Sequence, residues 1–232
     1  MISFIYYRIS VLFYSIYKLP LRIYRVILHL IPIANSSNKI AVKSFNDWIL
    51  DLPFYILDLL AIPEIIEFLL LILNPSIRKL NFEQSVLLRE LFEGCIYEDQ
   101  VWVHSGAKIF TKKLAIAYVI SNIVNYDQDI QDSTFIHELV HVCQFQKFGS
   151  VYISRALRAQ IKKDPYNYGG SFGLAKAIAK GKHYLDFNFE QQAQIIEDYF
   201  TVKSRVDLRA SESISSTYSY FYKQFREVYY LK

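Results

Sequence analysis

The chain has 232 residues, 53% hydrophobic and 21% charged, enough for one or two domains whose cores need no disulfide or structural metal. That balance excludes wholesale disorder, and a net charge of +4 is too mild for nucleic acid to be an expected partner. Two cysteines, Cys95 and Cys143, cannot build a secreted disulfide framework and point to a reducing compartment.

Charge is unevenly spread along the chain. Residues 1–46 carry Arg8, Lys18, Arg22, Arg25, Lys39 and Lys43 and no acid, whereas residues 47–75 carry Asp47, Asp51, Asp58, Glu64 and Glu67 and no base. A composition shift at Pro75 divides an N-terminal segment, residues 1–75, from residues 76–232. Within it, Arg8, Ser15, Lys18, Arg22, Arg25 and His29 recur at helical spacing among Ile, Leu, Val, Phe and Tyr, so they form one stripe of an amphipathic helix. Pro20 is expected to kink or split that helix. Asp47, Asp51 and Asp58 share a face of the next, and Pro63 suits the first turn of a third, which carries Glu64 and Glu67. Two readings follow. In one, a cationic helix lies beside acidic ones with its stripe solvated or paired. In the other, residues 1–75 make peripheral membrane contact, with bases against anionic lipid beside a wide, aromatic-rich apolar face. The longest charge-free runs, 26–38 and 68–77, fall short of the ~18 apolar residues of a spanning helix. Bases recurring through Arg25 make a poor signal peptide, so the expected location is the cytoplasm or the membrane periphery.

Residues 79–93 read as a helix closed at Gly94. Residues 101–104 alternate, and residues 114–119 followed by Ile123-Val124 are β-branched, which predicts a small sheet. A strong helix follows over residues 132–146, capped by Asp132 or Ser133 and stopped by Gly149. It contains His137-Glu138-Leu139-Val140-His141, an H-E-x-x-H pattern expected roughly 0.005 times by chance at this composition. Side chains at i and i+4 point the same way, so His137 and His141 can take two corners of a tetrahedral Zn²⁺ site. Glu138 is then placed to act as general base on a water molecule. Phe135, Ile136, Leu139, Val140 and Val142 bury the helix.

A catalytic zinc takes a third protein ligand. Glu190 is the favoured one, on a helix capped by Asn188 where Ala193 permits close approach; Glu197, Asp198 and His183 are alternatives, Glu197 and Asp198 also as acceptors for a ligand N–H. The long metzincin pattern is excluded, because position 147 is Lys147. Cys143 turns away from the metal face and reads as a buried thiol. His104 reads as structural or substrate-lining, and residues 203–232 as a terminal amphipathic helix. Residues 166–170 form a turn that could bring a Tyr hydroxyl over the cleft as an oxyanion donor, a role also open to His183.

Leu80, Asn81 and Gln84, residues 101–104, the run from Phe135 to Gln144 and the block from Phe189 to Tyr199 together resemble the zinc-peptidase core domain of bacterial extracellular contractile injection systems and related secretion-associated proteins. The resemblance spans about half the chain and departs from that family at Cys143. It implies gluzincin-like hydrolysis of a peptide or protein substrate and export by a non-classical bacterial route. The expected fold is α+β and mainly helical: a zincin-like domain over residues 76–232, with a small sheet beside the H-E-x-x-H helix, preceded by amphipathic helices. The expected function is zinc-dependent peptide hydrolysis; the alternative is a non-catalytic structural or binding module of a secretion or membrane-associated system.

Overall fold

The computed structural model describes residues 11, 13–31, 45–108, 117–204 and 212–231. Arg8, Lys39, Lys43 and residues 114–116, assigned above to a cationic segment and a strand, lie outside them. The architecture is α+β and mainly helical, with one small mixed sheet. Among the described residues no helix is long and apolar enough to cross a membrane.

The first three helices are α1 (Leu19–Leu30), α2 (Phe45–Leu59) and α3 (Ile62–Leu73). Pro20 splits the N-terminal helix as expected, because a proline is tolerated in a first turn but not in an interior. Residues 13–17 are helical, Lys18 is a turn, and α1 restarts at Leu19. Pro63 occupies the first turn of α3. The charged stripes are paired rather than solvated. Arg22 and Glu64, both about 4% exposed, form an ion pair between α1 and α3. Asp51 of α2 is fully buried and accepts from Arg155 Nη2 at 2.7 Å, from Ser154 Oγ at 3.1 Å and from Arg158. His29 is equally committed: its Nε2 lies 3.0 Å from Trp48 O, and Trp48 Nε1 donates to His29 O at 2.8 Å. Asp58 accepts the Ser150 N–H at 2.9 Å, and this approach requires Gly149, where φ is +71° and a Cβ would collide with the carboxylate.

Glu67 carries a testable consequence. It is fully buried, accepts from Asn122 Nδ2 at 2.9 Å, and has a second carboxylate oxygen without a hydrogen-bond partner among the described residues. Burial lifts its pKa from 4.5 to about 8 against the opposing bond from Asn122. The folded chain therefore holds a proton that the unfolded chain releases, so stability falls as pH rises from about 4.5 and levels off above about 8. Glu67→Gln should remove that loss, giving a variant more stable than the parent by on the order of a few kcal/mol at pH 8–9 and no different near pH 4. Melting temperatures across that range check this; a difference independent of pH would contradict it.

The sheet has the order β1-β2-β4-β3, from β1 (Ile77–Arg78), β2 (Trp102–Ser105), β3 (Ala117–Ile120) and β4 (Ile123–Tyr126). β2 and β4 pair in parallel, Val103 opposite Val124, while β1 and β3 are antiparallel edges. Between β1 and β2 runs α4 (Phe82–Phe92), opened by a capping box in which Asn81 and Gln84 exchange hydrogen bonds. Against the sheet lies α5 (Asp132–Phe148), buried from Phe135 through Gln146. Its N-cap is Gln131, not Asp132 or Ser133, and no side chain closes that end. The remaining helices are α6 (Val151–Gln160), α7 (Gly170–Ala179), α8 (Phe189–Ser204) and α9 (Glu212–Tyr229). Lys203 and Ser204 thus end α8 rather than opening a terminal helix. Phe221, Phe225 and Tyr229 of α9 are fully buried and close the core over α5 and α8. Cys95 and Cys143 are buried free thiols.

Candidate metal centre

The site forms where α5 crosses α8. Helical spacing turns His137 and His141 toward the same side of α5, their rings 5.0 Å apart. A capping box at Asn188, which accepts the Gln191 N–H at 2.8 Å and is bonded in return by Gln191 Oε1, fixes the start of α8 and places Glu190 in its first turn. Ala193, fully buried, keeps the helices close. Glu190 Oε2 consequently lies 3.5 Å from both His137 Nε2 and His141 Nε2. The edge of a tetrahedron with zinc bonds of ~2.05 Å is about 3.3 Å, so the spacing suits a shared ion. All three side chains are buried, and among the described residues they are the one such group able to hold a metal.

The donor atoms are free for that purpose because their neighbours are occupied elsewhere. His137 Nδ1 donates to Glu197 Oε2 at 3.1 Å, which leaves Nε2 with the lone pair. Gln144 Nε2 donates to Phe189 O at 3.1 Å, so its oxygen faces His141 Nδ1–H at 2.7 Å. Gln160 Nε2, at the end of α6, donates to Glu190 Oε1 at 3.0 Å, while Glu190 Oε2 is buried and, among the described residues, meets the two imidazole nitrogens at 3.5 Å without a hydrogen bond. A buried carboxylate oxygen left unpaired is costly unless a cation takes it. Two imidazoles and one carboxylate are the donor set of a catalytic zinc site with one position open.

Electrostatics agree. Burial opposes the charge on Glu190, but His141 and His137 outweigh it and hold the carboxyl far below the usual range. Burial likewise opposes a charged His137, yet the carboxylates of Glu190 and Glu197 beside it lift the pKa to about 10, so a proton on Nε2 stands in the place that a metal ion would take. Glu138 behaves in the opposite way: burial raises its pKa above the ordinary carboxylate value, His141 and His137 only partly offsetting this. Its Oε2 is buried and has no hydrogen-bond partner among the described residues.

Of the other candidate ligands, Glu197 touches His137 from behind, Asp198 accepts from Tyr168 and from Gln194 Nε2 at 3.0 Å, and His183 caps the turn Tyr184–Asp186 by accepting the Leu185 N–H. Neither Asp198 nor His183 joins the cluster. His104 is held by Asn74 and Asn125 in the sheet. Tyr166 does reach the site, its ring 5.8 Å from that of His137, with a hydroxyl pKa pushed up to about 12 by burial and by the charges of Glu190, Glu138 and Glu197. The partners missed in the sequence are the two amides, Gln144 and Gln160. Position i+3 from His141 was a usable signal for the first; nothing local marks the second.

Comparison with protein-family models, with curated proteins and with solved structures finds no match to this chain.

Proposed function

We propose that the chain is a zinc-dependent hydrolase of peptide bonds, built on a zincin-like arrangement of helices beside a small sheet. The observation that carries this reading is the convergence of His137 Nε2, His141 Nε2 and the unpartnered Glu190 Oε2 within the H-E-x-x-H helix crossing. Bound there, zinc supplies Lewis acidity, polarising a carbonyl and acidifying water. The chain's own residues supply the rest. Glu138, with its raised pKa and unengaged oxygen, takes the proton of the attacking water and later delivers it to the nitrogen of the departing amine. Glu197 and Gln144 hold the two imidazoles in the tautomer that keeps Nε2 available. Tyr166 offers its hydroxyl proton to the oxygen that gains charge as the carbonyl carbon becomes tetrahedral.

The testing experiment measures hydrolysis of a casein or peptide pool by the full chain, with and without a chelator. Turnover that the chelator abolishes and added zinc restores supports the hydrolase; bound zinc with no turnover favours the non-catalytic module. Tyr166→Phe should keep its zinc and lose turnover about tenfold, less than a fully buried oxyanion donor contributes, because Tyr166 is 42% exposed. Undiminished turnover in that variant would remove Tyr166 from the chemistry.

A further inference from the structure

Helices α1–α3 are built inside out. Every charged side chain among the described residues 11–74 is buried or half-buried: ion pairs take Arg22, Glu64, Asp47 and Asp51, while Asp58, Glu67, Arg25 and Lys18 meet the Ser150 N–H, Asn122, the Lys147 carbonyl and the Tyr14 ring. The opposite faces carry the apolar residues. Between Phe13 and Leu73, 21 large hydrophobic side chains are exposed, among them Tyr17 at 79%, Leu60 at 60% and Leu73 at 76%, against one exposed polar side chain, Asn46. The helices pack in series, α1 on α2 and α2 on α3, so these side chains lie on neighbouring elements. Exposed apolar side chains massed on adjoining helices mark a contact with a protein or a membrane.

The chemistry of the face selects its occupant. A protein interface carries about one hydrogen bond per 100–200 Å² and a polar rim. Outside the cleft where Tyr17, Leu21 and Tyr24 meet Lys147 and Glu227, the described residues of this face present one polar side chain and no charge, which leaves little with which to orient a protein partner, whereas hydrocarbon asks for neither. Turning the charges inward, away from the apolar face, is what a lipid-facing segment requires. At about 1.5 Å per residue the helices, of 12, 15 and 12 residues, fall short of the ~30 Å hydrocarbon core, so they suit one leaflet rather than a crossing. At the end of α6, which packs on α2, exposed Leu157 and Ile161 adjoin exposed Lys162 and Lys163, an apolar margin passing into cations as at a headgroup layer.

We propose that α1–α3 insert their outward face into one leaflet of a bilayer and hold the protein there as a monotopic membrane protein. Apolar area drives this binding, because the bases of α1 are turned inward; it therefore does not require anionic lipid. The proposal is independent of the hydrolase reading.

The test is flotation of the full chain, diluted from mild detergent, with pure phosphatidylcholine vesicles at ~0.1 M and ~1 M salt, conditions under which surface electrostatics are screened to different depths. Flotation at both salts is expected. The double variant Ile56→Asp/Leu69→Asp, at outward positions of α2 and α3, should float about tenfold less or worse, since a carboxylate is strongly disfavoured in hydrocarbon. Its far-ultraviolet circular dichroism should match the parent, which separates lost insertion from lost folding. Flotation only with phosphatidylglycerol vesicles and release at the higher salt would overturn insertion in favour of surface electrostatics. A vesicle-free, monodisperse dimer would overturn it in favour of a second copy as the occupant.

Discussion

Glu138→Gln should leave the zinc content of the protein unchanged and reduce turnover by ~10²–10⁴, the usual contribution of a positioned general base. The amide keeps the shape of the side chain but can neither take a proton from water nor return it to an amine. Glu138 is not among the three converging donors, so its loss takes no bond from the ion. The exchange should also relieve the fold, because Glu138 is 5% exposed with an oxygen that has no hydrogen-bond partner among the described residues, and a neutral amide costs less there than a carboxylate. Loss of zinc together with activity would show that Glu138 is a ligand and that the assigned role is wrong. Full activity in the variant would move the base elsewhere.

Glu190→Ala should weaken zinc binding by far more than 100-fold, Glu197→Ala by about 10–100-fold, and His183→Ala not at all, because the first removes a donor, the second only an orienting acceptor, and the third a turn cap. The ranking rests on geometry. Glu190 Oε2 stands 3.5 Å from both imidazole nitrogens, whereas Glu197 meets His137 on the opposite ring atom, Nδ1. Competitive titration with a chromophoric chelator measures all three. Equal affinities for the Glu190 and Glu197 variants would transfer the third ligand to Glu197 or to a ligand not yet named.

Much of the site was readable before the structure, for physical reasons that local pattern captures. The i, i+4 histidines and the apolar positions between them define both the helix and the side on which the two imidazoles meet Glu190. Asn188, a helix opener with Gln191 three residues on, predicts where α8 starts, and that start puts Glu190 within its first turn. The amides that orient these side chains could not be found this way. Gln160 acts only because α6 ends beside α8, a tertiary fact with no periodic trace. The same limit applied to residues 1–75. Periodicity located the charged stripe of α1 correctly but could not tell which side meets the protein, since a stripe facing buried partners and one facing water look alike in sequence. The structure turns Arg22 and His29 inward and leaves Tyr17, Tyr24 and Ile27 outside. β1, two residues long, and the parallel pairing of β2 with β4 depend on chain crossings that no short-range signal encodes.

The most direct measurement is the zinc content of the full chain purified from unsupplemented growth, compared with His137→Ala/His141→Ala prepared in parallel. The arrangement described here predicts one zinc per chain in the parent and none above background in the double variant. A parent without zinc, or a double variant that retains it, would contradict the assignment of His137, His141 and Glu190 as a metal centre.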